Sequence, residues 1–449
     1  MPINPTDLQN PGAAHVDSYW AATAGPEVDG AAPVDSDREV DVAIIGGGYT
    51  GLSAAYHLGR DHGIAAHVLE ANRIGWGCSG RNGGFCSIGI GKDDFGDWVN
   101  RFGLDPAKLI FEQGREAVRC VQRILDAEKL EVDRSPEGGL ELAHRPNRVG
   151  EMAVRQRELK ELFGLDCRLL GKSELDQGYL VSREAHGALL HDEGFALHAM
   201  KYSRGLARAA QRHGAALHGA SPVVEWRRDG RRHLLRTPGG SVRARQVVIA
   251  GNGYTGDRLH PATNGRLLPV LSNIIVTREL SRAERGSVNW RSYLKIWDSR
   301  RLLFYYRLLP ENRVLFGARG GIEDTPESNQ YQKAWLERRF AEMFPALAKV
   351  ETEYFWRGWV CLSRDKNPHI GSFEDGTVHY ALAYMGSGVA LATYCGRLLA
   401  GRVGGKAGEP SYEAGPLLGA PLPAFPFPAL RRLYQRLAYA YYGFKDEYL

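Results

Sequence analysis

The chain has 449 residues, of which 43% are hydrophobic and 24% charged, the balance of a globular protein with room for two or three cores. Its net charge of +5 comes from dispersed arginines set against many Asp and Glu, with no basic block. That distribution offers no support for a nucleic-acid partner and suits an anionic cofactor or substrate. The six cysteines, Cys78, Cys86, Cys120, Cys167, Cys361 and Cys395, are sparse and lack metal-site spacing. They point to reduced thiols in a cytoplasmic protein, without a disulfide framework or a metal. The polar stretch Met1 to Asn10 is neither a signal nor a transit peptide, and no apolar run reaches the roughly 20 residues needed to span a bilayer.

In chain order, residues 1–38 read as an extended arm rich in Ala, Pro, Gly and Asp. Val40 to Ile45 is a buried parallel strand, Leu52 to Leu58 a helix, and Ala66 to Glu70 the next strand, together one βαβ start. Residues 105–130 and 150–165 are predicted helices, 189–192 strand-like, and 199–213 an amphipathic helix. Gln246 to Gly251 is another buried strand. The Val-, Ile-, Tyr- and Phe-rich 270–320 region reads as antiparallel sheet. His379 to Ala383 is a last strand, leading through a glycine turn into a helix at 389–400. In the tail, Leu430, Leu433, Tyr434, Leu437 and Tyr441 fall at helical spacing. Docking on the body is the leading reading; peripheral contact with a membrane or a partner is the alternative.

Gly46-Gly47-Gly48-Tyr49-Thr50-Gly51 matches G-x-G-x-x-G directly after a strand and at the start of a helix, the context the motif requires. Gly46 allows the turn, Gly48 lets backbone approach a pyrophosphate, and Gly51 lets helix and sheet pack closely. Phosphates then meet free N–H groups at the helix N-terminus. Glu70, ending the second strand, is placed to accept from ribose hydroxyls, which argues against NADP but leaves FAD and NAD open. The following segment, Arg73 to Gly84, is dense in glycine and small polar groups. It can run along a dinucleotide and bind phosphate through Ser79, Arg81 and backbone amides.

With Glu70, the run Gly75-Trp76-Gly77-Cys78-Ser79-Gly80-Arg81-Asn82-Gly83-Gly84 resembles the D-amino-acid-oxidase superfamily of FAD enzymes, most closely its γ-glutamylputrescine-oxidase branch. Pro136 to Leu140, Val248 to Tyr254, Tyr305-Tyr306-Arg307, Trp356-Arg357-Gly358, Pro368 to Gly371, Tyr384 to Thr393 and Pro426 to Pro428 extend the resemblance along most of the chain. It implies an α/β fold: a Rossmann-type (GR2-like) FAD-binding domain from 39–95, 196–260 and 355–410. An interleaved α+β substrate domain on an antiparallel sheet takes 96–195 and 261–354, and a tail and helix 411–449. It also implies non-covalent FAD held by Gly46, Gly48, Tyr49, Thr50, Gly51, Glu70 and Ala71, and by Gly77, Cys78, Ser79, Arg81, Asn82, Gly83 and Gly84. Val223 and Val224 frame adenine, Ala250 and Gly251 close the returning strand, and Gly386, Ser387, Gly388 and Val389 offer amides to the flavin edge.

The implied reaction is hydride transfer from a carbon bearing an amine to the flavin, with hydrolysis of the imine and reduction of O2 to H2O2. No dedicated side-chain base is required; His369 and Tyr305 are the candidates nearest to a catalytic role. Phe85, Tyr305, Arg307, Arg319, His369 and Met385 are the substrate-side candidates, with Tyr305 and Arg307 on one face of their strand and Tyr306 on the other. Three departures from sarcosine-oxidase relatives stand out. Ala390 replaces a lysine that holds substrate carboxylate, which suits an amine whose acid group is remote or absent. Leu315 replaces a lysine that assists oxygen. Gly358 occupies the position of flavin-linking cysteine, leaving Cys361 as a buried thiol. The competing readings are a dehydrogenase passing electrons to a quinone or carrier protein, a non-catalytic flavin-binding module, and an NAD enzyme. The partner is a small amine, with O2 or another electron acceptor; oligomeric state is not legible.

Overall fold

A computed structural model describes residues 12–405 and 416–448. Met1 to Asn10 and the 411–415 start of the expected tail lie outside them. Two eight-stranded sheets organise the chain. The first has a parallel centre in the order Val378–Leu382, Gly240–Ile249, Arg38–Ile45, Ala66–Leu69, Ala216–His218. Ala43 to Ile45, Val68-Leu69 and Val247 to Ile249 in these strands are apolar and buried because both faces are covered there. Helices Tyr49–His62 and Gly388–Gly404 pack together on one face, where a Cβ on Gly396 would lie 2.5 Å from the Thr50 carbonyl oxygen. Antiparallel additions complete the sheet: His369–Phe373 beyond Val378–Leu382, and Arg232–Thr237 with Glu225–Asp229 along the first half of Gly240–Ile249, on the edge away from Arg38–Ile45.

The second sheet runs Thr352–Leu362, Leu268–Thr277, Val314–Arg319, Phe304–Leu308, Lys295–Asp298, Gly139–Leu142, Gly187–His191, Cys167–Gly171. Every pairing is antiparallel except that of Lys295–Asp298 with Gly139–Leu142. A core around Tyr306, Phe316, Phe340 and Phe344 backs it.

The structure departs from sequence expectation in three places. Residues 355–362, expected in the FAD-binding domain, are hydrogen-bonded along Leu268–Thr277 in the second sheet. Helix Leu104–Glu128, expected with the substrate domain, packs against Gly388–Gly404 in the first core. The 1–38 arm is not merely extended. Ser18 caps a short helix, Tyr19–Thr23, whose Tyr19 and Trp20 are buried against Ala199, Met200 and Trp356. Two large aromatic side chains decide that outcome over the surrounding Gly and Pro.

The tail forms the expected helix, Arg431–Tyr448, but it docks by its polar face. Arg431 pairs with Asp257 at 3.0 Å and donates to the Leu267 carbonyl at 2.5 Å. The Asp446 carboxylate accepts from the backbone of Arg301 and Leu302, each at 2.8 Å. Among the described residues no helix is long and apolar enough to cross a membrane, and all six cysteines are unpaired.

Candidate functional site

A cavity of about 740 Å³ opens at the carboxyl ends of strands Arg38–Ile45, Ala66–Leu69 and Gly240–Ile249, where open α/β sheets place ligands. It continues between the two sheets to Tyr305, Trp297 and His191. The glycine turn forms its floor. Gly46 has φ +113°, and a Cβ there would come within 2.9 Å of the Ala250 carbonyl. A Cβ on Gly51 would lie 2.0 Å from the Gly46 oxygen, so Gly51 sits behind the wall, in the helix–strand contact. Gly48, Tyr49 and Thr50 face the cavity. Gly48 caps the helix without any side-chain hydrogen bond, leaving the N-terminus open. The Tyr49 amide donates to Ser79 Oγ at 2.9 Å, and the Thr50 hydroxyl meets Tyr384 Oη at 2.7 Å.

Glu70 and Ala71 stand at the end of the second strand, on the cavity wall. The Glu70 carboxylate accepts from the Gly47 amide at 2.7 Å and the Asn72 amide at 3.0 Å. Burial pushes its carboxyl above the usual range, while those two amides oppose the shift. Val223, Val224, Ala250 and Gly251 line the same end.

The 76–84 segment is held from outside by two indoles. Trp20 Nε1 donates to the Asn82 carbonyl at 2.8 Å, and Trp356 Nε1 to the Arg81 carbonyl at 2.8 Å. Asn82 also accepts the Gly84 amide at 2.7 Å through its own side chain. Gly77, Cys78, Ser79, Arg81, Asn82 and Gly83 face the cavity. Gly84 does not: with φ +77° it abuts the Leu197 carbonyl. The Arg81 guanidinium lies over Trp76 at 4.0 Å and donates through Nε to the Trp76 carbonyl, leaving Nη2 without a partner.

A second helix N-terminus points into the cavity. Met385 and Gly386 adopt φ +57° and +105°, and Ser387 caps helix Gly388–Gly404 without a side-chain bond. Gly386, Ser387, Gly388 and Val389 all line the wall. Two helix N-termini whose N-cap residues make no side-chain bond therefore present N–H donors to one cavity. That donor set fits a dinucleotide with a pyrophosphate and acceptor-rich ring edge.

Of the substrate-side candidates, Phe85, Tyr305, Arg319 and Met385 line the cavity. Tyr305 Oη pairs with Ser272 Oγ at 2.9 Å, and burial raises its phenol. Arg307 and His369 do not line it. Arg307 starts on the Tyr305 face but turns to the Leu197 carbonyl at 2.6 Å and packs over Trp20, its charge form disfavoured by burial to about 10. His369 is 1% exposed, with Nδ1 donating to the Ala420 carbonyl at 2.9 Å and Nε2 facing Asp365 at 2.9 Å. It pins the tail rather than a ligand. Leu315 packs in the Trp20 cluster, Gly358 lines the cavity, and burial holds the Cys361 thiol up at about 12.

Sequence reasoning missed Lys92, His191 and Trp297, which the fold brings to the far wall. The Lys92 ammonium makes no hydrogen bond with the described residues. Burial, then repulsion from Arg319 and Arg301, pushes it well below its ordinary value. Arg319 donates to the Met385 carbonyl at 3.1 Å, and burial lowers it too. His191, pushed down to about 3 by burial and by Lys295 and Arg155, is neutral. A lysine in a glycine-rich loop carries no local signal of its destination. Among the described residues no His, Cys, Asp and Glu group is arranged to hold a metal.

The fold and this cavity define a flavin-dependent oxidoreductase, and the chain belongs to the FAD dependent oxidoreductase family, whose model matches residues 41–402. It is 31% identical to the gamma-glutamylputrescine oxidoreductase of Escherichia coli (strain K12) over 96% of this chain and 98% of that protein. Among solved structures, glycine oxidase from Bacillus cereus superposes with a TM-score of 0.67 at 21% identity, covering 85% of this chain and 99% of that one. L-proline dehydrogenase from P. horikoshii gives 0.65 at 19% identity, covering 85% and 97%.

Proposed function

We propose that the protein holds FAD non-covalently beneath the glycine turn and oxidises the C–N bond of an amine that carries an anionic group away from the reacting carbon. The observation that carries this reading is a single cavity with two different ends. One end offers helix N-termini without a side-chain cap; the other offers Lys92 and Arg319, two half-buried basic side chains without a carboxylate partner among the described residues. Bound FAD supplies the acceptor for the hydride that leaves the amine carbon. Gly386 to Val389 would place helix N–H groups against the negative charge this transfer creates. Phe85 and Tyr305, whose ring centroids lie 5.8 Å apart, form a wall that excludes water from the C–H. Lys92 and Arg319 would receive the anion, whose negative charge would favour the protonated Lys92 against the repulsion of Arg319 and Arg301. The chain is 31% identical to the gamma-glutamylputrescine oxidoreductase of E. coli along almost its whole length, which makes a γ-glutamylated or similarly acid-tailed amine the class to try first.

The test is a screen of amines and amino acids on the purified yellow protein, read by peroxide release in air and by flavin bleaching without air. Acid-tailed amines are expected to bleach the flavin, and their neutral amides to do so poorly. Bleaching by no amine refutes the reaction; equal bleaching by neutral amides refutes only the anionic group. Oxygen as acceptor is the first reading. Transfer to a quinone or carrier protein is the second, favoured by the apolar Leu315 at the position where oxygen-using relatives carry lysine. Bleaching by substrate with turnover only on artificial dyes would select it.

A further inference from the structure

Large apolar side chains are exposed at only a few scattered points until the last helix. Of twelve such residues among the described ones, seven lie between 427 and 448. Leu433, Leu437, Tyr441, Phe444 and Tyr448 are 47%, 61%, 60%, 56% and 73% exposed. Their spacing confines them to an arc of about 80° on a helix that turns 100° per residue. Arg431, Gln435 and Asp446, all buried, occupy the opposite side. The helix is thus mounted inside out, bolted to the body through Arg431–Asp257 and Asp446, with its apolar row facing outward. Nothing among the described residues covers that row, and a contiguous exposed apolar face of this kind marks an interaction site.

The surrounding charge indicates the occupant. Arg436 flanks the row on one side and Lys445 on the other. The exposed Lys366 reaches Tyr442 Oη at 2.8 Å, and the exposed Arg301 lies beneath Asp446. Of the nearby acids, Asp446 is held by backbone amides, Glu447 pairs with Arg300 and Glu323 with Arg436, which leaves Lys445 and Lys366 without a carboxylate partner among the described residues. A second copy packed on this face by two-fold symmetry would set these cations against one another. Lipid phosphates would complement them. Leucine with tyrosine and phenylalanine on one face, bordered by lysine and arginine, is the pattern of helices that lie in the headgroup region of a bilayer.

We propose that helix Arg431–Tyr448 is a docking surface for an anionic lipid bilayer, its Leu433-to-Tyr448 row entering the headgroup region while Lys445 and Lys366 meet phosphate. The full-length FAD-loaded protein is mixed with vesicles of phosphatidylcholine alone or with phosphatidylglycerol added, and sedimented. Binding to the anionic vesicles is expected to be stronger by about thirtyfold, from about two unpaired cations near the surface. It should be lost in the double substitution Leu437→Glu and Phe444→Glu, with the flavin spectrum and dye-coupled turnover unchanged. No sedimentation with anionic vesicles, equal sedimentation with both kinds, or undiminished sedimentation of the double variant would overturn the proposal. So would gel filtration showing a dimer that the double variant converts to monomer, which would assign the face to a second copy.

Discussion

Replacing Glu70 with glutamine tests the assignment of the cofactor end most directly. The carboxylate satisfies two backbone donors at once, the Gly47 amide at 2.7 Å and the Asn72 amide at 3.0 Å. A glutamine keeps one acceptor oxygen and turns an NH2 toward the other amide, so one N–H loses its partner in a buried position. An unsatisfied buried donor costs about 1–3 kcal/mol, and the variant should melt earlier by that amount even without cofactor. The same atom is the one expected to accept from a ribose hydroxyl. Loss of that charged acceptor should weaken FAD by a further 1–3 kcal/mol, about 5- to 150-fold in Kd. Thermal melting of the apoprotein gives the first quantity, and quenching of flavin fluorescence on titration gives the second. A variant with wild-type melting and wild-type FAD affinity would refute the role given to Glu70. Lower stability with unchanged affinity would restrict it to the turn.

Gly51→Ala places a methyl group 2.0 Å from the Gly46 carbonyl oxygen, backbone on both sides. The helix must shift, at about 1–3 kcal/mol or more, and the purified variant should be depleted of flavin. Arg319→Met should raise KM for acid-tailed amines while leaving that of neutral amines alone. Arg307→Met should leave both unchanged, because its guanidinium serves the Leu197 carbonyl outside the cavity. Its melting temperature should hold or rise, since an unpaired buried charge is removed. His144, His198 and His379 are buried and held neutral by desolvation, down to about 4, 3 and 4. Their folded values lie below the unfolded 6.5, so their contribution is complete above that pH and is lost as pH falls toward 4. Melting temperature should be flat above pH 7 and drop steadily between 6.5 and 4; a flat profile there would contradict the burial.

The strand, glycine turn and helix at one end of the cavity were legible because their information is local. A strand, a glycine turn and a helix within 25 residues of chain fix where the amides point, and Gly46, Gly48 and Glu70 stand where that grammar puts them. The substrate end is non-local. Strand alternation correctly put Arg307 on the face of Tyr305, yet whether a long side chain reaches a cavity or a neighbouring carbonyl depends on Leu197 and Trp20, distant in sequence. His369 looked ligand-like by its motif, but its fate was set by Asp365 and by Ala420 in the tail. Residues 355–362 read as part of the flavin segment because of the Trp-Arg-Gly motif, while strand pairing with Leu268–Thr277 carried them into the other sheet. The tail helix showed its period but not which side would face outward, since hydrophobic spacing alone cannot record that buried ion pairs do the docking.

The cavity wall is assembled from residues near 46, near 250 and near 388, and the two indoles that clamp it come from positions 20 and 356. Such long loops close slowly. On the ribosome, a growing polypeptide owns the first glycine turn early but lacks its opposing amides until residue 389 has emerged. The proposed flavin site is thus complete only late in synthesis, and riboflavin shortage should leave a pool of finished but empty chains.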